Sequence, residues 1–125
     1  MLNPVARRRG QSGKNRKGRM TQSQEHVDVA AKIRRWCRKE NPNITFGFYH
    51  DGSTHSLQEM DNDNINLDDM LRCLRGCRVS DVRLENGEWR YRAEGKDKDG
   101  RDLVFIVVLY DESEEVKVVT AWAVK

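Results

Sequence analysis

The chain has 125 residues, 34% charged and 37% hydrophobic, with 23 Lys and Arg against 20 Asp and Glu, which suits one small core and argues against two domains. No run approaches the 18 or so apolar residues of a membrane span, and the N-terminal stretch lacks the apolar run of a secretory signal, so the expected compartment is the cytoplasm. Three cysteines, an odd number in a chain without an export signal, argue for reduced thiols.

Residues 1–19 hold Arg7, Arg8, Arg9, Lys14, Arg16, Lys17 and Arg19 and no acid, so the rest carries 16 basic against 20 acidic side chains and stands at −4. The basic character belongs to one segment. With Pro4, Gly10, Ser12, Gly13 and Gly18 and almost nothing apolar after Ala6, residues 1–20 are predicted to be a disordered tail, and 21–125 a single domain. Two readings of the tail stand: an arm touching nucleic-acid phosphates, or an extension upstream of a start at Met20.

From Thr21 the spacing of Val29, Ala30, Ile33, Trp36 and Cys37 predicts an amphipathic helix that ends at Asn41-Pro42-Asn43. Arg34, Arg35, Arg38 and Lys39 lie opposite, a solvated face in preference to a nucleic-acid face. Ile44 to Tyr49 reads as a short strand, Asp51-Gly52-Ser53 as a turn, and Ser53 or Thr54 as the cap of a helix through Met60. Asn66 caps another helix, Leu67 to Arg75, with Asp69 at its third position, Gly76 at its end and Leu67, Met70, Leu71 and Leu74 as its buried face.

Four strands follow. Asn86-Gly87 between Val79–Leu84 and Trp89–Glu94 predicts a type I′ hairpin, and Lys98-Asp99-Gly100 the next turn. Leu103 to Tyr110 is apolar on both parities, which marks a strand covered on both faces or at least central in the sheet. After an acidic loop, Val116, Val118, Thr120, Trp122 and Val124 share one face of the last strand. The sum is an α+β fold with helices on one face of an antiparallel sheet of four, or with Ile44–Tyr49 five, strands.

Three motifs fail on spacing. Gly10-Gln11-Ser12-Gly13-Lys14 is too short for a phosphate loop, and Asp61, Asp63 and Asp68 lack the glycine turn and final acid of a calcium loop. Cys73 and Cys77 with His50 and His55 could form a two-sulfur, two-nitrogen zinc site, but the CxxC spacing is absent and packed thiols are preferred. No metal or other cofactor is expected.

His55-Ser56-Leu57-Gln58-Glu59-Met60, Ile65-Asn66-Leu67-Asp68-Asp69, Leu71–Gly76, Arg90-Tyr91-Arg92, the Gly95–Gly100 turn, Arg101-Asp102-Leu103 and Val118-Val119-Thr120 together resemble a small bacterial family of unknown function. That family is similar to the RelE-like toxins of toxin–antitoxin systems, which share the barnase-like fold of small ribonucleases. The resemblance implies an antiparallel sheet with helices on one face and RNA across the other, and a cognate antitoxin. Glu59 and Asp63 depart from it, standing where many members carry arginine, which weakens phosphate binding by that helix.

Metal-independent RNA cleavage needs a base, a proton donor and cations for the phosphate. The candidates are His55, Arg92 and Arg101 as catalytic residues, with Arg90, Lys96 and Tyr91 contacting RNA. Alternation puts Arg90 and Arg92 on one strand face and Trp89, Tyr91 and Ala93 on the other, which favours Tyr91 as core unless its hydroxyl reaches the rim. Simpler roles exist as well: His55 as a capping residue, Arg90 and Arg92 paired with Glu88 and Glu94, and Thr120 bonding within the sheet. Two functions follow, an RNA-cleaving toxin or a non-catalytic interaction module that binds a protein partner.

Overall fold

α1 (Gly18–Cys37) packs the predicted stripe, with Ile33 and Cys37 wholly buried, against the sheet. The computed structural model describes residues 18–49 and 51–125, with side chains from Gln24 onward. The helix thus starts three residues before the predicted boundary, and residues 1–17 of the predicted tail lie outside the described residues. The expected solvated face is only partly so. Arg35 is exposed, but Arg34 donates to the Cys77 carbonyl at 2.8 Å and Arg38 to the Arg75 carbonyl at 3.0 Å. Arg75 in turn donates to the Cys37 carbonyl at 2.7 Å. The Cys37 and Arg75 carbonyls satisfied in this way lie at helix C-termini, which otherwise leave such groups bare.

β1 (Asn43–Phe46) leads to α2 (His55–Asn62) and α3 (Leu67–Leu74). Asp51 Oδ1 accepts from the backbone and hydroxyl of Ser53, shaping the turn ahead of α2, whereas the Thr54 side chain makes no cap bond. Asn66 and Asp69 form the expected capping box. On α3 the buried side is Met70, Cys73 and Leu74, and Leu67, at the first position of the helix, is exposed, contrary to expectation.

β2 (Arg78–Glu85), β3 (Glu88–Lys96), β4 (Asp102–Tyr110) and β5 (Glu115–Ala123) form the predicted meander. Asn86 and Gly87 carry the positive φ values, 51° and 78°, of the hairpin turn. The sheet has five strands in the order β1-β5-β4-β3-β2. It is mixed rather than antiparallel throughout, because β1 runs parallel to β5, with Ile44 opposite Val116. Turn residues specify only the antiparallel neighbours. β4 is central, as its two-sided apolar pattern required.

All three helices contribute to one core cluster with Val79, Ala93, Leu103, Phe105, Val107, Val116, Val118 and Ala121 of the sheet. Each large aliphatic or aromatic chain removed from water there contributes roughly 1.5–3 kcal/mol. Among the described residues no helix packs on the opposite face, and none is long and apolar enough to cross a membrane.

Candidate functional site at the free rim of the last strand

The ladder between β4 and β5 slips between Ile106 and Val107: Ile106 faces Thr120, but Val107 faces Val118. The extra residue, Val119, is a bulge. It corrects the expected alternation. Val116, Val118 and Ala121 belong to the core cluster, while Thr120 and Trp122, opposite Ile106 and Val104, turn to the face that no described helix covers, where Val104 and Val108 are nonetheless buried.

Beyond Val118, β5 has no strand partner on its β1 side among the described residues, and α2 supplies hydrogen-bond partners with its side chains. Glu59 Oε1 accepts from the Ala121 N–H at 3.3 Å and from the Thr120 hydroxyl, and one turn later Asp63 Oδ2 accepts from the Ala123 N–H at 2.8 Å. The two acids that depart from the resembled pattern are therefore caps on a strand edge.

The other oxygen of Glu59 lies 2.9 Å from His55 Nε2, one helical turn back. The Tyr49 ring sits 4.4 Å from the imidazole, tilted 32°, and the His55 N–H donates to the Gly47 carbonyl at 2.9 Å. His55 and Glu59 stay 31% and 30% exposed, so the imidazole is fixed yet open to a ligand. Arg92 faces Ile106, which faces Thr120; two strand spacings, about 10 Å, thus separate the Arg92 and Thr120 backbones. The Arg92 guanidinium lies 5.4 Å from the Trp122 ring centre, over a strand next to the histidine rim.

The remaining predicted residues do not converge here. Arg101 is locked at the end of α2: it donates to Asp97 Oδ2 at 2.9 Å and to the Asp63 and Asn64 carbonyls at 2.7 and 2.8 Å. Three of its five N–H donors are thus engaged by the chain, which gives Arg101 a structural role at this turn while a third of its side chain stays exposed. Tyr91 lies on the helix side against the core, and burial pushes its hydroxyl up to about 12, so it does not face the side that carries the arginines. Arg90 faces Glu85 at 3.5 Å and Glu88 at 4.0 Å, its Nε buried without a partner among the described residues. Lys96 is exposed and bonds Asp102 at 2.7 Å.

The cations of this sheet face stand beside carboxylates. Arg92 Nε donates to Glu94 at 2.7 Å, Arg78 pairs with Glu94 at 2.8 Å, and Lys117 lies 3.8 Å from Glu88. The Ser80 hydroxyl foremost, and Arg92 after it, hold the Glu94 carboxyl below its ordinary value against the opposing effect of burial.

The zinc grouping considered in the sequence does not assemble among the described residues. Cys73 and Cys77 are buried with Cys37, all three free, whereas His55 is on the rim; His50 lies outside the described residues. Burial pushes Cys37 and Cys73 to about 12 and Cys77 to about 11, keeping them protonated thiols. Glu59, Thr120, Trp122 and Tyr49 are the site residues that sequence reasoning missed. Only the four-residue spacing of His55 and Glu59 was visible in advance.

A family model described as a domain of unknown function, DUF4258, matches residues 53–123. That span is more than half of the chain and contains α2, Arg92 and all of β5; the chain belongs to this family. No curated protein and no solved structure matches.

Proposed function

We propose that this DUF4258 protein is a toxin-like member of a toxin–antitoxin system with a RelE- or barnase-like arrangement, and that it cleaves RNA through the ribose 2′-hydroxyl without a metal. The observation that carries the reading is His55, held by Glu59 and Tyr49 yet accessible, at the rim of an uncovered sheet face that bears Arg92 and Trp122. A fixed imidazole at an open rim is suited to proton transfer. His55 takes the 2′-hydroxyl proton, the 2′ oxygen bonds to the adjacent phosphorus, and the 5′ oxygen leaves with a proton from solvent, giving a cyclic phosphate and a free 5′-hydroxyl. Arg92 exchanges Glu94 for the charge that builds on phosphate, and Trp122 offers a stacking surface for a base. A cognate antitoxin, acting in the cytoplasm, would cover this rim.

Induced expression with growth measurement, and purified protein incubated with RNA with and without ribosomes, test the reading. Wild type is expected to slow growth and to cleave with chelator present. His55→Ala and Arg92→Ala each abolish both effects while remaining folded, and the double variant is little worse than either, since residues acting as a unit are not additive. The carboxylate pairing of Arg92, Arg78, Arg90, Lys96 and Lys117 favours a second reading, a non-catalytic module that presents a charge-balanced face to a protein. Wild type that neither slows growth nor cleaves RNA supports that alternative.

A further inference from the structure

We infer that Glu59 is a positioning residue that fixes His55 as its Nε2–H tautomer, leaving the Nδ1 lone pair as the proton acceptor of the rim; the link to catalysis rests on the function proposed above. Glu59 does two jobs with two oxygens. Oε1 is engaged by the Thr120 hydroxyl and the Ala121 N–H, and Oε2 is 2.9 Å from His55 Nε2. A carboxylate only accepts hydrogen bonds, so the neutral imidazole must carry its proton on Nε2. Among the described residues nothing bonds Nδ1, and the Tyr49 ring at 4.4 Å limits rotation of the imidazole.

Asp63 shows that this arrangement is more than an edge cap. It meets the Ala123 N–H at 2.8 Å in the same way, yet bonds no histidine among the described residues. An edge cap alone does not require an imidazole. The fold therefore contains its own control, one cap with the histidine and one without.

Glu59→Gln makes the inference testable without any substrate. The Ala121 N–H needs an acceptor, so the amide oxygen stays on the strand and the amide NH2 faces His55 Nε2. That nitrogen must now accept, and the ring proton moves to Nδ1. The measurement is the 15N and 1H correlation spectrum of the His55 ring in protein carrying 15N-histidine, recorded at a pH where the imidazole is neutral. Wild type and Asp63→Asn are expected to show Nε2–H, and Glu59→Gln to show Nδ1–H. A wild-type ring protonated on Nδ1, or an even mixture, overturns the inference even if the variants fail to fold, as does a Glu59→Gln spectrum identical to wild type.

Where RNA cleavage is measured, Glu59→Gln is expected to lower kcat on the order of 10²- to 10⁴-fold with KM little changed, because the base is lost and not the binding surface. The expected spectra in a protein without nuclease activity would retain the positioning role and reject the ribonuclease. The wrong tautomer in an active nuclease would do the reverse.

Discussion

Arg101, a catalytic candidate in the sequence, is built into the fold by its hydrogen bonds. Its guanidinium ties the segment after α2 to the turn between β3 and β4 through Asp97 and the Asp63 and Asn64 carbonyls. Burial alone would raise the Asp97 carboxyl, but the Arg101 N–H and guanidinium and the Asp99 N–H outweigh it and hold the group below its ordinary value. A carboxylate depressed in the folded state contributes stability above its unfolded value, and this contribution is lost as pH falls through the folded one. Stability should therefore decline as pH drops below about 4. Arg101→Ala is expected to lower Tm at neutral pH by at least about 5 °C and to flatten this acid decline, as read by thermal melts between pH 3 and 7. Wild-type Tm and acid profile in the variant would mean that Arg101 is free for another role. The identity of the side chain was legible in the sequence, but its partners, up to 38 residues away, were not.

The elements most legible in the sequence were those specified by their neighbours. The Asn86-Gly87 turn and the Asn66–Asp69 capping box each lie within four residues. What escaped was the pairing of β1 with β5 and the Val119 bulge, because neither the partner strand nor the register is written in local spacing. The bulge decides the site, since without it Thr120 and Trp122 would face the helices as the plain alternation predicts. Deleting Val119 should accordingly destabilise the fold and detach Thr120 from Glu59. The α3–β3 contact offers a cleaner measurement. A Cβ on Gly95 would stand 2.9 Å from both the carbonyl oxygen and the Sγ of Cys73, closer than packed atoms tolerate. Gly95→Ala is expected to cost about 1–3 kcal/mol in urea unfolding, whereas a neutral result would show that α3 shifts freely. At the opposite side of the sheet, Asp63→Ala bares the Ala123 N–H. Loss of that bond costs about 1 kcal/mol, and the uncapped edge should raise self-association in analytical ultracentrifugation.

At the scale of the whole molecule the charge is split: seven cations and no acid in residues 1–19, and −4 over the remainder. The uncovered sheet face adds little attraction for RNA, because Arg92, Arg90, Arg78, Lys96 and Lys117 already face carboxylates. A phosphate arriving at Arg92 competes with Glu94, which accepts from Nε–H and is held by the Ser80 hydroxyl and Arg78 as well. If the chain acts on RNA as proposed, long-range affinity is expected from the basic N-terminal segment, and only local alignment from the rim. Counterion release makes the division measurable. Each phosphate neutralised on a single strand lowers the log–log salt slope by about 0.7, so seven engaged cations give a slope near −5. Removing residues 1–17 deletes all but Arg19 of these charges and leaves α1 as described from Gly18. RNA affinity at low salt is expected to fall by at least about tenfold and the slope to flatten to between 0 and about −1, while Tm stays within a few degrees. A slope unchanged by truncation would place the binding charge on the folded body, and Arg92 would then have to be read as free of Glu94 in solution.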